Sequence, residues 1–269
     1  MRLDSKFLAE ISKHCAYQKA LAFDLPYEYK GIMLYPVGLE YLMEFYTCIE
    51  VLKVKQERTK DKKLIKLPYL WFLRYAFENH ARYNKPEYGL FIPFLFALLE
   101  MVTKSSNIDM KVERKENGDY RRCFLLIDGI ELNNKDFMEL RQIIFAQAGI
   151  EHSDEFIHED AEKAMIEGRL YEQKKSGYVS PTLENLVDIL AVYLHKSVSE
   201  IVNTFTIRKF NNILRYIATF EEWKLLKGGE LSGMVTFKKP IPHWIGGFVK
   251  KDVFDGENTD YRQSNLMKI

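Results

Sequence analysis

Apolar residues recur every three or four positions through most of the chain and alternate with polar ones over one short central stretch. The first rhythm puts side chains on one face of a helix, and the second puts them on one face of a strand. Phe7, Leu8, Ile11 and Cys15 thus predict a helix over residues 5–22. Large residues then alternate on both sides of Lys30-Gly31, where glycine allows the positive φ of a tight turn, so a β-hairpin is expected within residues 25–37. Leu42, Phe45, Ile49 and Leu52 mark one face of a helix over residues 39–54. The basic run 53–66 reads as a solvated surface connector, because acidic residues interrupt it. Pro68 suits the first turn of a helix over residues 69–80, Asn84-Lys-Pro86 breaks it, and residues 91–103 form another.

The alternating stretch covers residues 108–114, 120–127 and 130–132. Asn117-Gly118 and Asp128-Gly129 separate the three runs and favour primed hairpin turns, which predicts a three-stranded meander. A helix over residues 135–148 should follow and stop on Gly149. Beyond an acidic connector come a charged helix over 160–175 and a regular one opened by Ser180-Pro181 and carrying Leu183, Leu186, Val187, Leu190 and Leu194. Ser197-Val-Ser-Glu200 is a capping box that starts a short helix, and helices over 206–218 and 220–227 complete a cluster. The expected class is α+β, predominantly helical. It divides into a helical N-terminal part (1–106), a meander plus helix (107–150), a C-terminal helical cluster (151–229) and an extended arm (230–269).

Composition narrows the function classes. Thirty-nine basic residues against thirty-eight acidic leave a formal charge of +1, without the surplus of cations that a polyanion binder needs to displace counterions. Nucleic acid is therefore not the expected partner. Cys15, Cys48 and Cys123 are odd in number and widely spaced, which suits reduced thiols in a reducing compartment. The most apolar run, residues 90–99, contains Pro93 and as a helix would rise only about 15 Å, half a bilayer, so a core helix and no membrane span is expected. With no secretion signal in the first residues, the expected location is the cytoplasm.

Candidate chemistry is sparse. His152, Asp154, His158, Glu159 and Asp160 crowd one segment, but a six-residue spacing brings the two histidines together on neither a helix nor a strand. An acidic surface linker is the expected role, with no metal. Leu231-Ser-Gly-Met234 lacks the first glycine of a nucleophile elbow, and Gly246-Gly247 does not continue as a phosphate loop. No catalytic residue, cofactor site or enzyme activity is expected. His243 beside Trp244 reads as a packing or interface pair. Residues 183–216 have the lengths of a helix-turn-helix, whose last helix would offer Arg208, Lys209, Asn211, Asn212 and Arg215 to DNA. Ile207, Phe210, Ile213 and Leu214 already give that helix a full core-facing stripe. A DNA-binding regulator is thus the alternative function.

From the meander onward the chain resembles a known group. The residues are Asp136-Phe-Met-Glu-Leu-Arg-Gln-Ile-Ile-Phe-Ala-Gln-Ala-Gly-Ile150, Asp188-Ile-Leu-Ala-Val-Tyr-Leu, Glu222-Trp-Lys-Leu-Leu-Lys, Leu231-Ser-Gly-Met-Val and Phe237-Lys-Lys-Pro-Ile-Pro-His-Trp244. Over residues 108–244 this pattern is similar to tail-assembly or baseplate-hub assembly chaperones of tailed phages infecting Gram-positive bacteria. The resemblance implies a non-enzymatic protein that holds a tape-measure or hub component in the host cytoplasm until the tail is built. Such chaperones are often short and acidic, whereas this chain is longer and electrically balanced, so retention in the virion as a minor structural protein is the other role implied. Under this reading Pro240, Pro242, His243 and Trp244 of the arm anchor the partner.

Overall fold

The computed structural model describes residues 5–59, 61–114, 120–152, 159–176, 181–233, 241 and 243–244. The class is predominantly helical α+β, with a two-stranded and a three-stranded antiparallel sheet. The chain divides into two units, residues 1–212 and 213–269.

In the first unit, helix α1 (Ser5–Phe23) leads to a hairpin of β1 (Tyr27–Tyr29) and β2 (Ile32–Leu34). Lys30 and Gly31 both take positive φ, 52° and 84°, which is the backbone twist a two-residue turn needs between right-twisted strands. A Cβ on Gly31 would also approach Ile130 Cδ1 to 3.3 Å. Gly31→Ala is therefore expected to cost about 1–2 kcal/mol in urea unfolding, the usual penalty for a side chain in left-handed backbone.

The helix expected over 39–54 is present as three segments: a 3-10 turn (Leu39–Tyr41), α2 (Leu42–Ile49) and a second 3-10 turn (Glu50–Lys53). The basic connector is not irregular. It holds a 3-10 turn (Gln56–Thr59) and α3 (Lys62–Ile65), where Asp61 accepts from Lys63 N at 2.7 Å and Gln56 Nε2 donates to the Leu64 and Leu67 carbonyls at 2.8 and 2.9 Å. Side-chain bonds to backbone organise this segment in spite of its charge.

Next come α4 (Tyr69–Glu78), the short α5 (His80–Tyr83) ending on left-handed Asn84, a 3-10 turn (Pro86–Leu90) and α6 (Phe91–Thr103). Residues 86–103 are long and apolar enough to cross a membrane by length and composition. In this fold, however, Phe91, Ile92, Leu95, Leu98, Leu99 and Val102 of α6 are buried against α2, α4 and the sheet. This is the core helix that the apolar run predicted.

Strands β3 (Ile108–Arg114), β4 (Tyr120–Ile127) and β5 (Ile130–Leu132) pair in order, and Asp128 and Gly129 make the second primed turn. Asn117-Gly118 lies outside the described residues. Helix α7 (Asn134–Ala148) then packs on β4, β5 and α4. Its capping box was not anticipated: Asn133 Oδ1 accepts from Asp136 N at 3.1 Å, while Asp136 Oδ2 accepts from Asn133 N at 3.2 Å. Asp136 also pairs with Lys30 of the hairpin turn, and Tyr29 donates to Glu139 at 2.7 Å. These contacts tie the hairpin to the start of α7.

Helices α8 (Glu159–Ser176), α9 (Leu183–Leu194) and α10 (Val198–Thr204) follow. The cap of α9 is Thr182 with Asn185, and the Ser197/Glu200 box of α10 is present as expected. The expected break at residue 219 is absent: α11 (Ile207–Leu231) is continuous. Its residues 207–212 belong to the first unit and the rest to the second. In the second unit Thr219 bonds back to the Arg215 carbonyl at 2.9 Å, the pair Lys224–Glu221 supports the helix before Gly228-Gly229, and the pair Lys227–Glu230 spans the two glycines. Most of the proposed arm, including Pro240 and Pro242, lies outside the described residues.

Candidate partner-binding groove

Helices α2 and α6 pack together through apolar faces, and their opposite edges border an open groove of about 830 Å3. Ala97, Glu100, Met101 and Lys104 recur at i, i+3, i+4 and i+7, so one edge of α6 and its cap supplies one wall. Glu40 and Tyr41 of the first 3-10 turn, with Glu44, Thr47 and Cys48 of α2, supply the other. The linker from β2 closes one end with Pro36, Val37 and Gly38.

Distant backbone holds that end in place. Tyr35 N donates to the Val102 carbonyl at 2.7 Å, Leu39 N to the Phe205 carbonyl at 2.8 Å, and Ile207 N to the Val37 carbonyl at 2.9 Å. Gly38 and Thr206 form an isolated antiparallel bridge between these bonds. That end of the groove is therefore pinned by backbone bonds to the link between α10 and α11.

The floor is apolar and the rim is acidic. Val37, Ala97 and Met101 line the interior, and Tyr41 stands half exposed at the edge. Glu40, Glu44 and Glu100 are exposed, and none of the three has an ion pair among the described residues. Lys104 is the one cation among the described residues that line the groove, and its ammonium sits 4.4 Å from the Tyr35 ring centroid. Burial raises the Cys48 thiol above its ordinary pKa, and the neighbouring Glu44 carboxylate adds to the shift. A nucleophilic cysteine needs the opposite environment. Burial also pushes the Cys123 thiol up to about 12. Cys15 is exposed. Iodoacetamide at about pH 8 should thus modify Cys15 quickly and reach Cys48 and Cys123 only in denaturant, as counted by intact-mass spectrometry.

The residues singled out in the sequence lie elsewhere. Arg208 Nη1 donates to the Ala146 carbonyl, and Asn211 Nδ2 donates to the Ala148 carbonyl at 3.2 Å and to Tyr46 Oη at 2.9 Å. Both satisfy the open carbonyls at the end of α7. Asn212 Oδ1 lies beside Gly149, and Lys209 sits over the Phe205 ring at 4.5 Å. These four belong to the first unit. Arg215, in the second, lies 5.8 Å from the Tyr216 ring.

His152 packs against Phe145 with ring centroids 4.6 Å apart and planes tilted by 32°, and its Nε2 lies 2.7 Å from Arg141 Nη2. That guanidinium can only donate, so Nε2 accepts and the ring proton resides on Nδ1. Asp154 and His158 are outside the described residues, and no group of three His, Cys, Asp or Glu could hold a metal ion among those described. In the second unit, His243 and Trp244 do not extend from the fold. Trp244 meets Phe220 edge-on at 5.2 Å, and His243 lies 5.4 Å from Trp223.

The chain matches no protein-family model, no curated protein and no solved structure. The groove residues went unnoticed in the sequence because they occupy the less apolar edges of helices recognised by their cores. The signal that would have found them is the i, i+3, i+4, i+7 stripe from Ala97 to Lys104.

Proposed function

We propose that the protein is a noncatalytic assembly factor that works through protein–protein contacts, with the groove between α2 and α6 as its binding surface. The observation that carries this reading is the groove's composition: an apolar floor, a half-exposed tyrosine and carboxylates free of ion pairs with described residues. Open concave surfaces of this kind suit a partner segment laid across them. Further apolar side chains stand outside the folded core in the first unit, among them Phe23, Met43, Val192 and Tyr193.

The nature of the partner follows from the resemblance over residues 108–244: a tape-measure or hub component of a phage tail, met in the host cytoplasm. Affinity isolation of the tagged chain from cells co-expressing the tail genes of a phage of Gram-positive bacteria tests this. Recovery of a tape-measure, hub or other tail protein supports the proposal, whereas recovery of nucleic acid alone, or of nothing, overturns it.

The helix-turn-helix alternative is weakened by the positions of Arg208 and Asn211, whose donors serve the end of α7. Reading bases or phosphates requires those donors to be free. Duplex DNA is accordingly expected to show no shift in a gel assay even at about 50 mM salt, where counterion release favours binding most.

A further inference from the structure

We propose that the occupant of the groove is a basic, amphipathic helix of a partner protein, its apolar face on Val37, Ala97 and Met101 and its lysines or arginines on Glu40, Glu44 and Glu100. This deepens the functional reading above and rests on it. Charge complementarity is the argument.

Some carboxylates elsewhere in the first unit stand beside cations, while others, Glu28, Glu87 and Glu184 among them, are exposed without an ion pair among the described residues. Glu50 pairs with Lys53, Glu78 with Arg74 and Arg114, and Glu113 and Glu131 with Arg122. What distinguishes the groove is that its carboxylates gather around one apolar concavity. Among the described residues, three carboxylates line it with a single lysine, which is already held over the Tyr35 ring. The C-terminal turn of α6 lies in the same wall, and the partial negative charge of its last carbonyls adds to the field. An acidic or neutral helix gains nothing from that field. A cationic one gains attraction at the rim while its apolar stripe covers the floor.

The walls themselves are helical edges with residues one turn apart, which matches the spacing of anchors on a docked helix.

The probe is a fluorescein-labelled Leu/Lys amphipathic peptide of about four helical turns, titrated with the full chain by fluorescence anisotropy. The control replaces every lysine of the peptide by glutamate. The expected result is saturable binding of the Leu/Lys peptide, with the Leu/Glu peptide at least about tenfold weaker. The charge reversal Glu44→Lys/Glu100→Lys, made at exposed positions, should weaken the Leu/Lys peptide about tenfold while leaving the thermal melt unchanged. A photo-crosslinking amino acid at Tyr41 should capture the peptide, and the same group at Tyr193 should not.

Equal binding by the reversed variant, equal binding of the two peptides, or crosslinking only at Tyr193 overturns the assignment. So does displacement of the peptide by equimolar spermine, which would mark a small-polycation site. The outcomes also separate from the broader reading. If tail proteins are recovered equally by wild type and the reversed variant, the groove is overturned and the assembly role stands. If the peptide behaves as expected and no tail protein is recovered, the groove stands and the phage reading falls.

Discussion

Arg141→Ala should lower the unfolding free energy by about 3–5 kcal/mol, seen as a shifted urea midpoint with an unchanged slope. Arg141 is the largest side chain among the fully buried ones, only 2% exposed. Its Nε donates to the Leu52 carbonyl at 2.6 Å, and Nη2 reaches His152 Nε2 at 2.7 Å. The guanidinium carbon lies 5.0 Å from the Tyr69 ring centroid and 5.5 Å from that of Phe145. Truncation removes the donor that satisfies a carbonyl at the end of the second 3-10 turn and opens a cavity between two rings. Arg141→Lys should recover only part of the loss, because an ammonium cannot donate in two fixed directions while stacking on an aromatic face. A loss below about 1 kcal/mol for the alanine variant would show that neither contact matters to the fold.

Phe137→Ala should cost a similar amount, about 3–5 kcal/mol. Phe137 is wholly buried and stacks on Tyr69, with centroids 6.3 Å apart and planes 21° apart. Tyr69 in turn donates to the Val51 carbonyl at 2.9 Å. Phe137 and Arg141 therefore rest on the same ring, one turn apart on α7. Their double substitution should depart from additivity by about 0.5–3 kcal/mol, measured as a double-mutant cycle in urea. Strict additivity would mean that Tyr69 does not couple them. Either outcome bears on the groove indirectly, since Tyr69 ties α4 and α7 to the end of the segment that contains α2.

Local patterns accounted for much of this architecture. The meander is legible because Asp128-Gly129 provides the only backbone twist that lets a two-residue link join its last two strands, and alternation sets which side chains face inward. The hairpin around Lys30-Gly31 follows from the same rule. Helix α6 is legible from its apolar run, and α10 from the Ser197/Glu200 box.

What the sequence leaves hidden is set by side-chain bonds, some between residues far apart and some within a single helical turn. The N-terminus of α4 begins after Pro68, which offers no capping side chain, and its Leu70 N–H is satisfied by Asn134 Oδ1 at 2.9 Å. Nothing local encodes that cap. The continuity of α11 was hidden because Thr219 and the glycine pair resemble breakers until back-bonding and ion pairs are seen to carry the helix. Arg208 and Asn211 looked like DNA contacts because sequence shows a donor's presence and not its direction.

By itself, then, the sequence determined most of the helices and strands and which of their faces are apolar, because these depend on periodicity and turn chemistry within a few residues. Only the tertiary structure decided where the remaining polar groups point. It turned Arg208 and Asn211 onto the end of α7, placed Arg141 between two rings, and joined Val37–Leu39 to Phe205–Ile207. The groove exists for the same reason: its walls come from segments about fifty residues apart, and its end is held by a third. Long-range pairing of backbone and charge has no local signature, because its free energy arises only after the elements have packed.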